Sequence, residues 1–256
     1  MIYKRFAARL KAQDWLAITI ELGIVVLGVF IGNWVNDWNQ NRAAKREAQA
    51  LIYRIRPQLE LLDKTEPGEK TYYATTRRYA EVALAAWAGD RRVSDRDFVI
   101  AAYQASQITG LPIEGQVMNE VLGGDEVRKV DDPALRDALT RVMTFNYSQV
   151  GADAVQSDYR RHVRELLPDS IQRAVRAQCG DKQELYWLSL PARCDIAIAP
   201  DLAAKGAARL RAHPELADQL AFHLALTDNF LGNLGRFEIR VRNLIALMDG
   251  KKGYWE

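Results

Sequence analysis

The chain has 256 residues, 48% apolar and 27% charged, a balance that excludes both a disordered chain and a wholly membrane-buried one. Its 35 Lys and Arg residues against 33 Asp and Glu leave a net charge of +2, so we expect no nucleic-acid partner. Two cysteines are too few for a disulfide-scaffolded mini-protein or a four-thiolate zinc site.

The first predicted element is a transmembrane helix over residues 15–34, WLAITIELGIVVLGVFIGNW. A helix of this length spans about 30 Å, the thickness of a bilayer's hydrocarbon core. Its aliphatic residues favour insertion by about 5 kcal/mol in sum, which exceeds the roughly 2–3 kcal/mol cost of Glu21. Trp15 and Trp34 flank the run and Trp38 follows it, so we expect them to anchor the helix at the interfaces of a lipid bilayer.

The charges flanking this helix predict its orientation. Residues 1–14 carry four basic side chains and one acidic one, whereas residues 35–49 carry three basic and two acidic ones. No small-residue cleavage site follows the apolar run, so we interpret it as a signal anchor rather than a cleaved signal peptide. The sequence therefore predicts a short cytoplasmic tail over 1–14 and a periplasmic domain in a bacterial inner-membrane protein.

Glu21, Val25, Gly28 and Gly32 follow one another at spacings of four, three and four, which places them on one face of the predicted membrane helix. Small residues four apart allow two helix backbones to approach closely, and an acidic residue at membrane depth usually faces protein or water. We expect this face to bind a second copy of the chain or another membrane protein. Two alternatives are a protonated Glu21 near the interface and an ion-conducting role beside a partner channel.

The two cysteines, Cys179 and Cys194, enclose the segment GDKQELYWLSLPAR. A disulfide closing a loop of this length would remove about 3 kcal/mol of unfolded-state entropy, and it would require an oxidising compartment such as the periplasm. We expect this disulfide; two unrelated buried thiols are the alternative.

The N-terminal pattern ELGIVVLGVFIGNWVNDWNQNRAAKREAQAL resembles a family of uncharacterised bacterial single-pass membrane proteins, catalogued as a domain of unknown function. The matching residues are Glu21, Gly28, Gly32, Asn36, Trp38 and Asn39. A second, weaker resemblance covers EVLGGDEVRKVDDPALRDAL at 120–139. The resemblance implies a single-pass topology and carries no established activity.

The remaining chain is predicted to be all-α, with a membrane-proximal helix over 35–63 and a helical-bundle domain over 64–256. Pro57 should kink the first of these helices or start a new one, and Thr65-Glu66-Pro67-Gly68 reads as a turn. Further helices are predicted from 95, from 133 to 167, from 168 to 179, from 200 and from 214, with breaks at 110–112 and 123–124. The tract LYWLSL could form a short strand, although no partner strand is evident.

The last predicted helix has the clearest periodicity. Its seam repeats in strict steps of four and three, which favours packing along another long helix, and we expect that helix to be the membrane-proximal one. The seam residues are Leu216, Leu220, His223, Thr227, Phe230, Leu234, Phe237, Val241, Leu244 and Met248.

No motif for catalysis, cofactor binding or metal binding is apparent. His162, His213 and His223 lie on separate segments, and none has the spacing of a helical zinc site. The basic run at 160–164 would suit an anionic partner or a solvated helix face. We therefore expect no enzymatic activity and interpret the chain as an interaction or scaffold subunit. The alternatives are a periplasmic ligand-sensing module with a signalling partner, an accessory subunit of an ion-driven membrane complex using Glu21, and an enzyme.

Overall fold

The computed structural model describes residues 15–111 and 127–253, apart from the side chains at 48 and 51–53. The fold is all-α, as predicted. The helices are α1 Trp15–Trp87, α2 Asp95–Gln104, α3 Pro133–Met143, α4 Asp158–Leu166, α5 Asp169–Cys179, α6 Pro200–Arg211 and α7 Glu215–Met248. Short 3₁₀ turns lie at Val127–Lys129, Tyr147–Gln149 and Ala152–Val155, and the strands β1 Lys182–Gln183 and β2 Leu188–Ser189 form one antiparallel hairpin. The predicted cytoplasmic tail and the predicted break at 123–124 lie outside the described residues.

Helix α1 is continuous from Trp15 to Trp87, so the predicted turn at 65–68 is wrong. Pro57 and Pro67 lie inside the helix but on its exposed side, where water can bond to the carbonyls that proline leaves without a donor. Gly68 is buried, and a Cβ atom placed there would lie 2.0 Å from Cγ of Trp187. Pro-Gly is a turn signal in the sequence, but here it lies inside a helix. Gly68 has no Cβ atom, which allows the indole ring of Trp187 to pack against the helix backbone.

A continuous buried seam runs along α1 and packs in the bundle, most extensively against α7. Its members repeat in steps of four and three, and they are Ile55, Leu59, Leu62, Glu66, Glu69, Tyr73, Thr76, Ala80 and Ala83. The predicted seam of α7 is buried from Leu216 to Leu244, and the rings of Tyr73 and Phe230 lie 5.1 Å apart across the two helices. The long partner helix expected for the final helix is therefore α1, which includes the predicted membrane-proximal segment 35–63 but continues to Trp87, and the Tyr73 contact lies in this continuation.

Ion pairs between α1 and α7 recur every seven residues along α1. Arg56 contacts Asp249 at 2.7 Å, and Lys70 contacts Glu238 at 3.1 Å. The other two pairs are Asp63 with Arg242 and Arg77 with Asp228. The partner numbers fall along α7 as they rise along α1, so the two helices are antiparallel. Charges flanking an apolar seam at heptad intervals select orientation and register, as in coiled coils.

The predicted helix over 133–167 is divided in the structure. It begins as expected after Asp132, whose carboxylate accepts from the backbone N–H of Ala134 at 2.9 Å. It ends at Met143 because Asn146 caps a 3₁₀ turn, its side chain accepting from the N–H of Ser148. Ser157 then caps α4. Side chains of this kind compete with the helical hydrogen-bond pattern, so two caps close together favour a loop over a continuous helix.

Residues Trp15–Glu47 are long and apolar enough to cross a membrane, and none of the most apolar stretch is buried inside the structure. Fourteen of the eighteen large apolar side chains that are exposed in the described part of the chain lie between Trp15 and Trp38. Two ion pairs connect the next part of α1 to the segment before α3: Lys45 with Asp131 at 2.9 Å and Lys129 with Glu47 at 3.8 Å.

The close contact at Gly68 predicts that alanine, which usually stabilises a helix relative to glycine, destabilises the protein at this position. Gly68→Ala should lower the free energy of unfolding by about 1–3 kcal/mol, because the overpacking against Trp187 outweighs the gain in helix propensity. Gly235→Ala, at a helical glycine on α7 with nothing within 4 Å of the added Cβ, should raise it by about 0.5–1 kcal/mol. Denaturant unfolding followed by circular dichroism measures both.

In a Trp187→Ala background, Gly68→Ala should become neutral or stabilising because the clashing ring is gone. An equally destabilising Gly68→Ala in that background would show that the indole is not the cause.

Candidate functional site

The structure places the predicted association face on the exposed part of α1. Glu21 and Val25 are exposed, and a Cβ atom added at Gly28 or Gly32 would have nothing within 4 Å. The helix continues through these positions without a break, so all four residues share one face of it. Association through this face stays a prediction.

The three tryptophans assigned as interfacial anchors are all exposed on α1. Trp15 lies at the helix's first described residue, Trp34 follows the apolar run, and the guanidinium of Arg42 lies 4.7 Å from the Trp38 ring. A cation over an indole face is a favourable pairing near a charged surface.

Cys179 and Cys194 form the expected disulfide, with their Cα atoms 5.5 Å apart. The loop between them contains the β-hairpin, which sequence reasoning missed as a pair because its strands are two residues long. Three α1 side chains spaced seven apart bind this loop: Thr65 Oγ1 donates to the Tyr186 carbonyl, Tyr72 Oη to Asp181 Oδ1, and Tyr79 Oη to the Pro191 carbonyl. The disulfide loop is thus fixed along one side of α1.

A polar cleft of about 570 Å³ lies between α7 and the loop that follows α3. Its volume is within the range of small-molecule sites. The α7 side contributes Asn229, Asn233, Arg236 and Arg240. The loop side contributes Thr144, Phe145, Asn146, Ser148, Gln149 and Ala154, and Phe230 also lines the cleft.

Sequence analysis did not identify this cleft, although α7 contains a signal for it. Asn229, Asn233, Arg236 and Arg240 repeat in steps of four, three and four, each one position before a residue of the apolar seam. This polar stripe could be recognised as a second helical face. Its opposing loop could not, because that loop was predicted to be helix.

The basic run at 160–164 is divided between two environments and does not form a single patch. Arg160 donates to the Ser106 carbonyl, and Arg164 donates to Gln107 Oε1 at 2.8 Å and lies over the Tyr103 ring. These two arginines therefore hold the segment after α2. Arg161 points outward and pairs with Asp158 at 2.9 Å, which matches a solvated helix face.

The histidines serve as structural residues. His223 is buried on the α7 seam, its Nδ1 lies 2.9 Å from Ser157 Oγ, and burial together with the charge of Arg160 lowers its pKa to about 4. His162 pairs with Gln219 and His213 with Glu215. Across residues 15–111 and 127–253, no three His, Cys, Asp or Glu side chains are grouped so that they could hold a metal ion.

Glu69 is a buried acid whose pKa is strongly raised. Its side chain is buried on the α1 seam, where one carboxyl oxygen accepts from Thr109 Oγ1 at 3.2 Å. The other oxygen has no hydrogen-bond partner among the described residues. Burial raises the pKa of Glu69 to about 7 from its ordinary value of 4.5, because desolvation penalises the charged form.

Comparison with known proteins finds no family model, no curated protein and no solved structure that matches this chain.

The raised pKa of Glu69 predicts how stability depends on pH. The folded state retains this proton up to about pH 7 and the unfolded state loses it near pH 4.5, so the contribution of Glu69 to stability is lost as pH rises through that window. The free energy of unfolding of Glu69→Gln minus that of the wild type should therefore increase by about 3 kcal/mol between pH 4.5 and 7, and then level off.

Urea unfolding at a series of pH values measures this difference. Glu81→Gln, at an exposed position of the same helix, is the matched control and should show no such trend. A pH-independent difference for Glu69→Gln would contradict the buried, protonated state.

Proposed function

We propose that this chain is a single-pass protein of a bacterial inner membrane that acts as a non-enzymatic interaction or scaffold subunit. Its N-terminus lies in the cytoplasm, and its helical domain lies in the periplasm. The observation that carries the proposal is the unbroken α1, which extends from the exposed apolar segment into the buried seam of the domain. A partner that binds the membrane part of α1 thereby orients the whole domain.

Association is assigned to the membrane helix rather than to the domain surface. In the described part of the domain, the large apolar side chains that are exposed are scattered: Val82, Leu185, Phe222 and Ile239. Isolated residues of this kind are ordinary on a soluble surface. The face of Glu21, Val25, Gly28 and Gly32 instead combines close backbone approach with a carboxyl group that, when protonated, can hydrogen-bond to its counterpart in a second helix.

The topology has a direct test. Alkaline phosphatase fused after Glu256 should be active in cells, and a fluorescent protein that folds only in the cytoplasm should be dark at the same position. The charge flanks and the Cys179–Cys194 disulfide support this orientation. Fluorescence without phosphatase activity would reverse the orientation and refute the periplasmic assignment.

Homotypic association is tested with the full chain, carrying two-hybrid reporter fragments at its cytoplasmic N-terminus. Gly28→Ile should weaken the signal about tenfold, because a branched side chain keeps the two backbones apart. Glu21→Gln should largely preserve it, since an amide still forms a hydrogen bond across the interface. Gly23→Ile is the matched control, because Gly23 lies on the opposite side of α1 and also has nothing within 4 Å.

A monomeric wild type would contradict homotypic association through this face. Equal effects of the substitutions at Gly23 and Gly28 would show that the predicted face is not the interface.

A further inference from the structure

The polar cleft has the electrostatics of an anion site. Among the lining residues that the structure describes, two are arginines and none is acidic. Arg242, on another side of the same helix, pairs with both Asp63 and Glu238. Arg236 and Arg240 form no ion pair within the described part of the chain, so the cleft has two positive charges without a carboxylate partner.

Most hydrogen-bonding capacity of these two arginines is unused. Arg236 donates to Asn233 Oδ1, and Arg240 donates to the Arg141 carbonyl at 3.0 Å while its guanidinium lies 5.2 Å from the Phe145 ring. A guanidinium has five N–H donors arranged to match the oxygens of a carboxylate or a phosphate. The contacts with the protein hold both side chains and leave donors for such a group.

The rest of the lining is suited to hydroxyl groups. Asn229, Asn146 and Gln149 have amides that both donate and accept, and Ser148 and Thr144 add hydroxyls. The loop wall is fixed before any ligand binds, because Asn146 bonds to the N–H and hydroxyl of Ser148 and Phe145 packs 4.7 Å from Phe237. A wall ordered in advance lowers the entropic cost of binding.

The position of the cleft indicates where its ligand comes from. The ion pairs of Lys70 with Glu238 and of Arg242 with Asp63 place Arg236 level with the part of α1 near Glu69. At 1.5 Å per residue, that level is about 50 Å along the helix from Trp34. This distance exceeds the depth of the headgroup layer, which favours a water-soluble ligand over a lipid of the same membrane.

We propose that this cleft binds a small water-soluble molecule with a carboxylate or phosphate group and several hydroxyls, such as a sugar acid or a sugar phosphate. Arg236 and Arg240 bind the oxyanion, and the amides of Asn146, Asn229 and Gln149 bind the hydroxyls. Ligand binding here is independent of association through the membrane helix.

The test is titration calorimetry of the full chain in lipid nanodiscs with three probes that share a sugar ring: glucuronate, glucose 6-phosphate and uncharged glucose. At least one charged probe should bind at least tenfold more tightly than glucose, and the better of the two tells a carboxylate site from a phosphate site. Arg236→Gln should weaken that binding about 10- to 100-fold, the range expected for a charge-assisted hydrogen bond.

Arg209→Gln is the matched control, because it removes the same charge from an exposed position on α6 and should leave binding unchanged. Circular dichroism confirms that each variant is folded. The proposal is overturned if neither charged probe binds with a dissociation constant below 10 mM, which corresponds to a binding free energy of roughly 3 kcal/mol. It is also overturned if glucose binds as well as the charged probes, or if Arg236→Gln binds as the wild type does.

Discussion

The antiparallel pairing of α1 with α7 is the constraint on which the rest of the molecule depends. Two seams with the same period of 3.5 residues bury each other, and the four ion pairs at heptad intervals fix which residues are level with one another. Exposed pairs of this kind contribute at most about 1 kcal/mol each, so the buried apolar surface provides the stability and the charges select the register. If α7 slid along α1 by one residue, the ion-pair partners would no longer be level with each other and the two apolar seams would no longer match.

Three sets of α1 residues recur with the same seven-residue period but start at different positions, so they form three different faces of the helix with different contacts. The seam from Ile55 to Ala83 is buried, a charged edge pairs with α7, and Thr65, Tyr72 and Tyr79 hold the disulfide loop. Trp187 of this loop lies against Gly68. The disulfide closes the loop on itself, and the helix determines where the closed loop lies.

The same continuous helix connects the segment of proposed membrane association to the helical domain. The helix continues without a break from the segment at Gly28 to the seam at Tyr73. The polar cleft lies against α7, the helix that packs most extensively on α1. The membrane face and the cleft are thus attached to one pair of helices.

The sequence alone determined the all-α class, the apolar segment, the disulfide spacing and the seam of α7, because each depends on local composition or on the period of one element. It also located the helix starts at 95 and 133, where Ser94 and Asp132 cap the helix within a few residues. It misread α1 at 65–68, where Glu66 and Glu69 interrupt the apolar pattern and Pro67-Gly68 resembles a turn. Only the tertiary structure provides the reasons for a helix there: α7 lies along the seam, and Trp187 lies against Gly68. The cleft was likewise decided by tertiary structure, because the stripe from Asn229 to Arg240 becomes a site only when a loop from a distant part of the chain lies opposite it.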